Sequence, residues 1–232
     1  MKIKLLTLLV IALAAVAWFA WRPGKPESPS PSFSPQQQAA LGKLREQGVD
    51  IGIEEEGATF FDFYASKTAT DLLKELRHFP EAKVVVLSSA KLKDEHVAEL
   101  APLKQLKDLS LNNTQITNAA AEHLQAFSEL ESLNLSETSF SDEGLSQLGS
   151  FKKLQTLGLH HTSVTDEGLE HLSKFPALKV LKLTGSEVTS AGAQSLKETL
   201  PNVQLIWNEF EEADDQPLLP ASAFEDPPKP SR

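Results

Sequence analysis

The chain has 232 residues, 41% of them apolar, enough for one or two domains with a sizeable core. Its 22 basic and 32 acidic residues give a formal net charge of −10, which argues against life on a nucleic-acid backbone, where a clustered basic face is needed. No cysteine is present, so disulfides, thiolate metal sites, a cysteine nucleophile and a lipidated cysteine are excluded.

Met1-Lys2-Ile3-Lys4 precedes an apolar run from Leu5 to Trp21 broken by Thr7. A short basic start ahead of an apolar run is the pattern of export. Ala15-Val16-Ala17 offers a small-x-small cleavage site, but the run continues through Trp18, Phe19 and Trp21. Leu5 to Trp21 as helix reaches about 25 Å, near the lower limit for crossing a hydrocarbon core of about 30 Å. Residues 1–21 are therefore expected to be a signal peptide or an N-terminal membrane anchor. The remainder is then extracytoplasmic (periplasmic), held at the membrane, or secreted if the segment is cut.

Residues 22–35 are rich in proline and serine and predict an extended linker of up to about 43 Å. Residues 36–57 predict a cap: a helix over 36–47, then a strand from Val49 to Ile53 that turns at Glu56-Gly57. Residues 211–232 are acidic and proline-rich, with little to bury, and read as a solvated tail.

Between these segments the sequence repeats with a period of 24. Leu106, Leu130, Leu154 and Leu178 are in step, as are Val85, Leu109, Leu133, Leu157 and Leu181. So are Leu87, Leu111, Leu135, Leu159 and Leu183, and a fourth series of Leu92, Ile116, Phe140, Val164 and Val188. Within each unit, Leu154-Gln-Thr-Leu157-Gly-Leu159 alternates like a short strand, whereas Leu169 and Leu172 are spaced like a helix face. Asp94, Asn118, Asp142, Asp166 and Ser190 share a register ahead of that face and are expected to be N-caps. Gly144, Gly168 and Gly192 share another, with Ala120 and His96 elsewhere, which suggests small residues for close helix packing. A strand, a turn and a helix cannot close a core in 24 residues, but stacked copies can.

The units resemble leucine-rich repeats of the cysteine-containing subfamily, with Thr114, Thr138 and Thr162 where that subtype carries cysteine or asparagine. The resemblance implies an α/β solenoid over residues 58–210, a horseshoe with parallel strands on the concave face and helices on the convex face. Thr114, Thr138 and Thr162 would cap the turn backbone through their hydroxyls. A degenerate first repeat is expected from Ala58, and a last strand ending at Trp207 closes the far end.

Alternation turns the residues between the core leucines outward. The candidate binding face is accordingly Ser110, Asn112, Asn134, Ser136, His160 and Lys182, although short polar residues are also what a solvated strand face tolerates. His160 and His161 are adjacent and diverge, and His123 and His171 fall two repeats apart, too far to share a metal. No Gly-x-Ser-x-Gly, His-Glu-x-x-His or phosphate-binding glycine loop occurs. The expectation is a monomeric, non-enzymatic module that binds a protein or peptide, with no catalytic, cofactor or metal site, no nucleic acid, and membrane contact through its N-terminal segment. A structural envelope spacer without a ligand is the alternative, and a hydrolase or metal enzyme hidden in the repeats is a third.

Leu157→Asp tests the register assignment. It places a lone carboxylate between layers, a loss of at least about 3 kcal/mol. Circular dichroism melting of this variant should show a module unfolded or deeply destabilised, and an unchanged melt would refute the assignment.

Overall fold

The computed structural model describes residues 31–55, 57–64 and 68–207. The segments expected as anchor or signal peptide and as acidic tail, and most of the linker, lie outside the described residues. Chain contacts divide the molecule into Met1–Ser32 and Phe33–Arg232, and the second unit carries all that follows.

Its first element is helix α1, Pro35–Glu46. Ser34 caps it: its hydroxyl accepts the Gln37 N–H at 3.2 Å, while the Gln37 side chain accepts the Ser34 N–H at 3.0 Å. Proline at the first helical position costs no hydrogen bond. Ala40, Leu41 and Leu44 face the core. Lys43 Nζ reaches Glu75 Oε1 at 3.0 Å and so neutralises a carboxylate that is largely buried.

Strand β1, Asp50–Glu54, then turns back as β2, Gly57–Asp62, in an antiparallel pair with a register shift between Gly52 and Ile53. From β2 onward every pairing is parallel. The strands β3 (Val84–Val86), β4 (Asp108–Ser110), β5 (Ser132–Asn134), β6 (Thr156–Gly158), β7 (Val180–Lys182) and β8 (Gln204–Ile206) add in chain order to an eight-stranded sheet. Each is offset from the last by 24 residues, for example Leu109 opposite Leu133 and Leu133 opposite Leu157.

Each connection returns through a short helix: α2 (Ala69–Leu72), α3 (Asp94–Ala98), α4 (Ala120–Leu124), α5 (Asp142–Gln147), α6 (Asp166–Leu169) and α7 (Ser190–Thr199). Two of these continue as 3-10 turns, Leu73–His78 and Glu170–Lys174. The unit is an α/β leucine-rich-repeat solenoid with strands on one side and helices on the other. The in-phase leucines from Leu87 to Leu183 are buried between the two. Phe79, Leu103, Phe127, Phe151 and Phe175 form a further buried series at the same spacing, with Phe151 and Phe175 stacked at 6.1 Å between centroids. The sequence carries that series in plain view, although the leucines drew the reading. At the far end Trp207 is partly buried and donates from Nε1 to the Val188 carbonyl at 3.0 Å.

Two turn devices recur along the stack. Thr114, Thr138 and Thr162 donate their hydroxyls to the carbonyls of Leu111, Leu135 and Leu159 at 2.6, 2.6 and 2.8 Å, as their position in the repeat suggests. At the next register, Ser186 has a buried hydroxyl that no group among the described residues meets. Immediately before these residues, Ser89, Asn113, Glu137, His161 and Gly185 all take a positive φ, between 49° and 73°. Glycine accepts that geometry freely, whereas the other four are strained by about 1 kcal/mol or more each. The cross-layer bonds on either side impose it: Asn113 N–H meets Ser136 O at 2.9 Å, and Glu137 N–H meets His160 O at 2.7 Å.

The residues expected as N-caps do something else. Asp94, Asp142 and Asp166 are the first helical residues, and the preceding Lys93, Ser141 and Thr165 take the cap position. Their carboxylates reach forward one layer. Asp142 Oδ1 accepts the Thr165 N–H at 2.9 Å and Oδ2 accepts its hydroxyl at 2.7 Å. Asp94 holds Thr117 in the same way, at 2.7 and 2.8 Å, and Asp166 holds Thr189, at 2.8 and 2.6 Å. Asn118 is the amide version, accepting the Ser141 N–H at 2.9 Å and donating to its hydroxyl at 2.8 Å. The threonine so held caps its own helix, since Thr165 Oγ1 accepts Glu167 N–H and Thr189 Oγ1 accepts Gly192 N–H, both at 3.2 Å.

This ladder gives the close helix packing expected at the glycines its partner. A Cβ on Gly168 would strike Asp142 Oδ1 and crowd Leu145, and one on Gly192 would strike Asp166 Oδ1. The glycine makes room for the carboxylate that begins the previous layer's helix.

The ladder makes Asp142→Ala and Gly168→Ala non-additive. Each alone should cost about 1–3 kcal/mol in urea unfolding. The double variant should lose clearly less than the sum, because the new methyl then enters space the carboxylate has left. Simple additivity would contradict the steric account.

Candidate binding face

The strands supply this face by a simple rule. In each three-residue strand the central side chain points into the core, as Leu109, Leu133, Leu157 and Leu181 do, and the residues flanking it point outward. Pairing then aligns one outward row as Asp62, Val86, Ser110, Asn134, Gly158, Lys182 and Ile206. A second row runs Phe60, Val84, Asp108, Ser132, Thr156, Val180 and Gln204. A third, three positions past the central core residue, holds Ser88, Asn112, Ser136 and His160. The middle is small and polar, and half-buried valines or isoleucine flank it on both sides.

Five of the six residues expected on this face remain partly accessible: Ser110, Asn112, Asn134, His160 and Lys182. Ser136 departs from the expectation. It is 5% exposed, and its hydroxyl accepts the His160 N–H at 3.1 Å, so it builds the surface from beneath. Strict alternation misplaces it because the strand ends at Asn134 and the chain is already turning.

Two side-chain amides are fixed by their oxygens. Asn134 Oδ1 accepts the Ser136 N–H at 3.0 Å, and its side chain lies over Gly158, where a Cβ would come within 2.6 Å of that oxygen. Asn112 Oδ1 takes the hydroxyls of Ser110, at 2.9 Å, and of Ser88, which themselves stand 3.1 Å apart. Among the described residues nothing accepts from either Nδ2, so two oriented N–H donors remain for solvent or a ligand.

Three ionisable members of the face, Asp108, His160 and Lys182, are shifted toward their neutral forms. Burial raises the Asp108 carboxyl, reinforced by nearby Glu131 and opposed by a hydrogen bond with Ser132 and by Lys107. His160 is lowered, chiefly by burial and then by Lys182, with His161 adding to this and the Thr184 backbone and Glu137 opposing it. Lys182 is lowered by burial. Displaced titrations gathered on one surface are a mark of function, although structural networks produce them too.

A family model described as "FBD-associated F-box protein At5g56370, LRR repeats" matches residues 95–225, more than half of the chain. The chain belongs to this leucine-rich repeat family. No curated protein matches its sequence. Among solved structures it is similar to an internalin C2 from Listeria monocytogenes str. 4b F2365, 24% identical over 58% of this chain and 55% of that one, with a TM-score of 0.48. An internalin (inlF) of the same strain is 20% identical over 60% of this chain and 38% of that one, with a TM-score of 0.46. The chain thus spans about half the length of the first and about two fifths of the second.

Among the described residues no three His, Asp or Glu side chains converge as a metal-holding group. Among them, too, no helix is long and apolar enough to cross a membrane, and the segment expected to do so lies outside them. An open depression near Lys152, Lys153 and Lys179 is a surface feature between layers; there Lys153 pairs with Glu129 at 2.5 Å and Lys179 donates to Gln155 at 2.8 Å.

The depressed His160 pKa gives a pH signature. The unfolded chain takes up the proton first, at about pH 6.5, so stability is lost as pH falls below that value and levels off beneath the folded pKa. His160→Gln should remove this loss. Thermal melts between about pH 7.5 and pH 5 should show the parent losing more than the variant, and parallel curves would refute the burial of that imidazole.

Proposed function

We propose that this chain is a non-enzymatic interaction module that holds a protein or peptide against its strand face. The observation that carries the reading is the pair of amides on Asn112 and Asn134. Each is anchored through its oxygen and offers its N–H groups outward, on a sheet whose own backbone donors are consumed by strand pairing. Membership of a leucine-rich repeat family supports a binding role for the scaffold.

The reading extends to placement in the cell. Residues 1–21 act as a membrane anchor or a cleaved signal, residues 22–35 as a spacer, residues 36–57 as the cap, residues 58–210 as the interaction solenoid and residues 211–232 as a solvated tail. The solenoid then works outside the cytoplasm, tethered by its N-terminus or released, as a monomer, without cofactor or nucleic acid. Mass spectrometry of the mature N-terminus separates tethering from release.

Replacing Asn112, Asn134 and His160 together with glutamate should leave the circular dichroism spectrum unchanged and abolish capture of partners by the full chain. Recovery of the same proteins by parent and variant would sink the strand-face proposal and leave the scaffold as a spacer.

A further inference from the structure

Parallel strands joined by returning helices sort the connections onto two edges. Segments that run from helix to strand lie on one, and segments that run from strand to helix lie on the other. Their charges differ. Leading into β4 to β7, the first edge carries Lys104, Lys107, Lys152, Lys153, Lys174 and Lys179 against Glu99, Glu129 and Glu131. Leading out of the same strands, as far as the first two residues of each helix, the second edge carries Glu137, Asp142, Glu143, Asp166, Glu167 and Glu187 and no lysine or arginine. A chain of net charge −10 thus sets a basic band along one edge.

The glutamates on that band do not use it up. Glu131 meets Lys107 and Glu129 meets Lys153, both in the open, where such pairs are weak and screened by salt. An ammonium has three donors, so each of these lysines can meet a second oxygen. Lys179 spends one donor on the Gln155 side chain, and Lys174 one on the Ser146 carbonyl. Lys104 and Lys152 are exposed on either side of the Glu129 and Glu131 layer. Lys107 and Lys179 hold the same place before their strands, three strand steps or about 14 Å apart. The depression that Lys152, Lys153 and Lys179 line is open. A band of this kind suits a field of phosphates rather than one enclosed anion.

The chain also enters the solenoid at this edge. Gln37, in the first turn of α1, donates from Nε2 to the His78 carbonyl at 3.1 Å, and His78 ends the 3-10 turn that leads toward β3. Past the other end of α1, Gln47 accepts the hydroxyl of Thr68, which precedes α2, at 3.3 Å. Helix α1 therefore crosses from the lysine edge to the acidic one.

We infer that the lysine edge rests on an anionic lipid surface, its ammonium groups on the head-group phosphates and the acidic edge turned away. Residues 107–113 carry the chain between the edges over up to about 20 Å, more than two screening lengths of about 8 Å at physiological salt. The far acids are then hidden from the surface. A nucleic acid also offers a field of phosphates, and what favours lipid is that the chain arrives from its N-terminal segment at the same edge. The inference goes beyond the strand-face reading, because an edge laid on lipid leaves the strand face open to a partner.

The probe is the full chain mixed with vesicles of phosphatidylcholine alone or with added phosphatidylglycerol, then treated with an amine-acetylating reagent and read by peptide mass spectrometry. An N-terminal anchor enters both kinds of vesicle, so a difference between them reports charge. Lys104, Lys107, Lys152, Lys153 and Lys179 should react more slowly on the anionic vesicles. Lys91 and Lys93, between β3 and α3 on the far edge, should react equally on both. High salt should erase the difference. Each lysine charge removed should lower the ratio of docked to undocked chain about fivefold. Lys104→Gln/Lys152→Gln should therefore lose most of the protection at the remaining lysines, whereas Lys91→Gln/Lys93→Gln should keep it, and equal melting temperatures guard against misfolding.

Equal labelling of the edge lysines on both vesicles would overturn the inference. So would slowing at Lys91 and Lys93 to the same extent, which means contact without orientation. Protection of the edge by single-stranded DNA but not by anionic vesicles would overturn it as well and assign the band to nucleic acid. None of these outcomes bears on the strand face, which the glutamate variant of Asn112, Asn134 and His160 tests separately.

Discussion

Every layer of this molecule leaves its strand N–H and C=O groups pointing along the stack, where only the next layer or water can meet them. The carbonyl of Lys83 accepts both Lys107 and Asp108 N–H, that of Lys107 accepts Glu131 and Ser132, and that of Glu131 accepts Gln155 and Thr156. Past the strand, Leu111 donates to Asn134 and Leu135 to Gly158. Beyond the turn the direction reverses, with Gln115 donating back to Leu92 and Ser139 back to Ile116. A layer so wired is locked at three places to each neighbour, and its leucines have no alternative but the gap between them. The ends are handled by other means. An antiparallel strand with α1 closes one, and the Trp207 indole, bonded to the Val188 carbonyl, closes the other.

The parts of this arrangement that were legible in the sequence are those in which a residue type answers to burial. Leu109, Leu133 and Leu157 are leucine because nothing polar survives at a position with no exposure. Thr114, Thr138 and Thr162 were readable because a turn carbonyl three residues back needs a donor. The Asp–Thr ladder was misread as capping because its partners are 23 residues apart, while an aspartate at a helix start has a familiar local use. Asp142 does stand in the first turn with Glu143, where the helix dipole favours acids, so the local and cross-layer roles coincide. The left-handed register was hidden by its occupants. Glu137 and His161 carry no sign of a positive φ, and what imposes it is the hydrogen bond to the next layer.

The same logic separates what stabilises the stack from what merely decorates it. Lys107 pairs with Glu131 at 2.8 Å and Lys153 with Glu129 at 2.5 Å, each across one layer, on an exposed edge. Such exposed pairs add little and weaken with salt. Glu131 raises the Lys107 ammonium by hydrogen bonding and charge, but full exposure keeps that effect small. The threonine–aspartate bonds differ in kind, because each also orients the hydroxyl that caps the next helix. Asp166 shows this in its lowered pKa, caused by the Thr189 hydroxyl and N–H. Acid strong enough to protonate Asp166 removes its link to Thr189, so that contribution is present above the ordinary aspartate range and fades as pH falls through the lowered pKa.

This division bears on which side of the molecule can recognise anything. Along the helix starts, the oxygens of Asp94, Asp142 and Asp166 are already engaged by threonines one layer on, and the glycines behind them are filled by those carboxylates. A partner approaching there would have to displace bonds that hold the stack. On the strand side the backbone is equally committed, but among the described residues the amide nitrogens of Asn112 and Asn134 are not. Asn112 and Asn134 spend only their oxygens on the protein, and Gly158 exists because Asn134 lies across it. Holding an amide by its oxygen removes rotamer freedom before any ligand arrives, so the N–H groups can be met without that entropic loss.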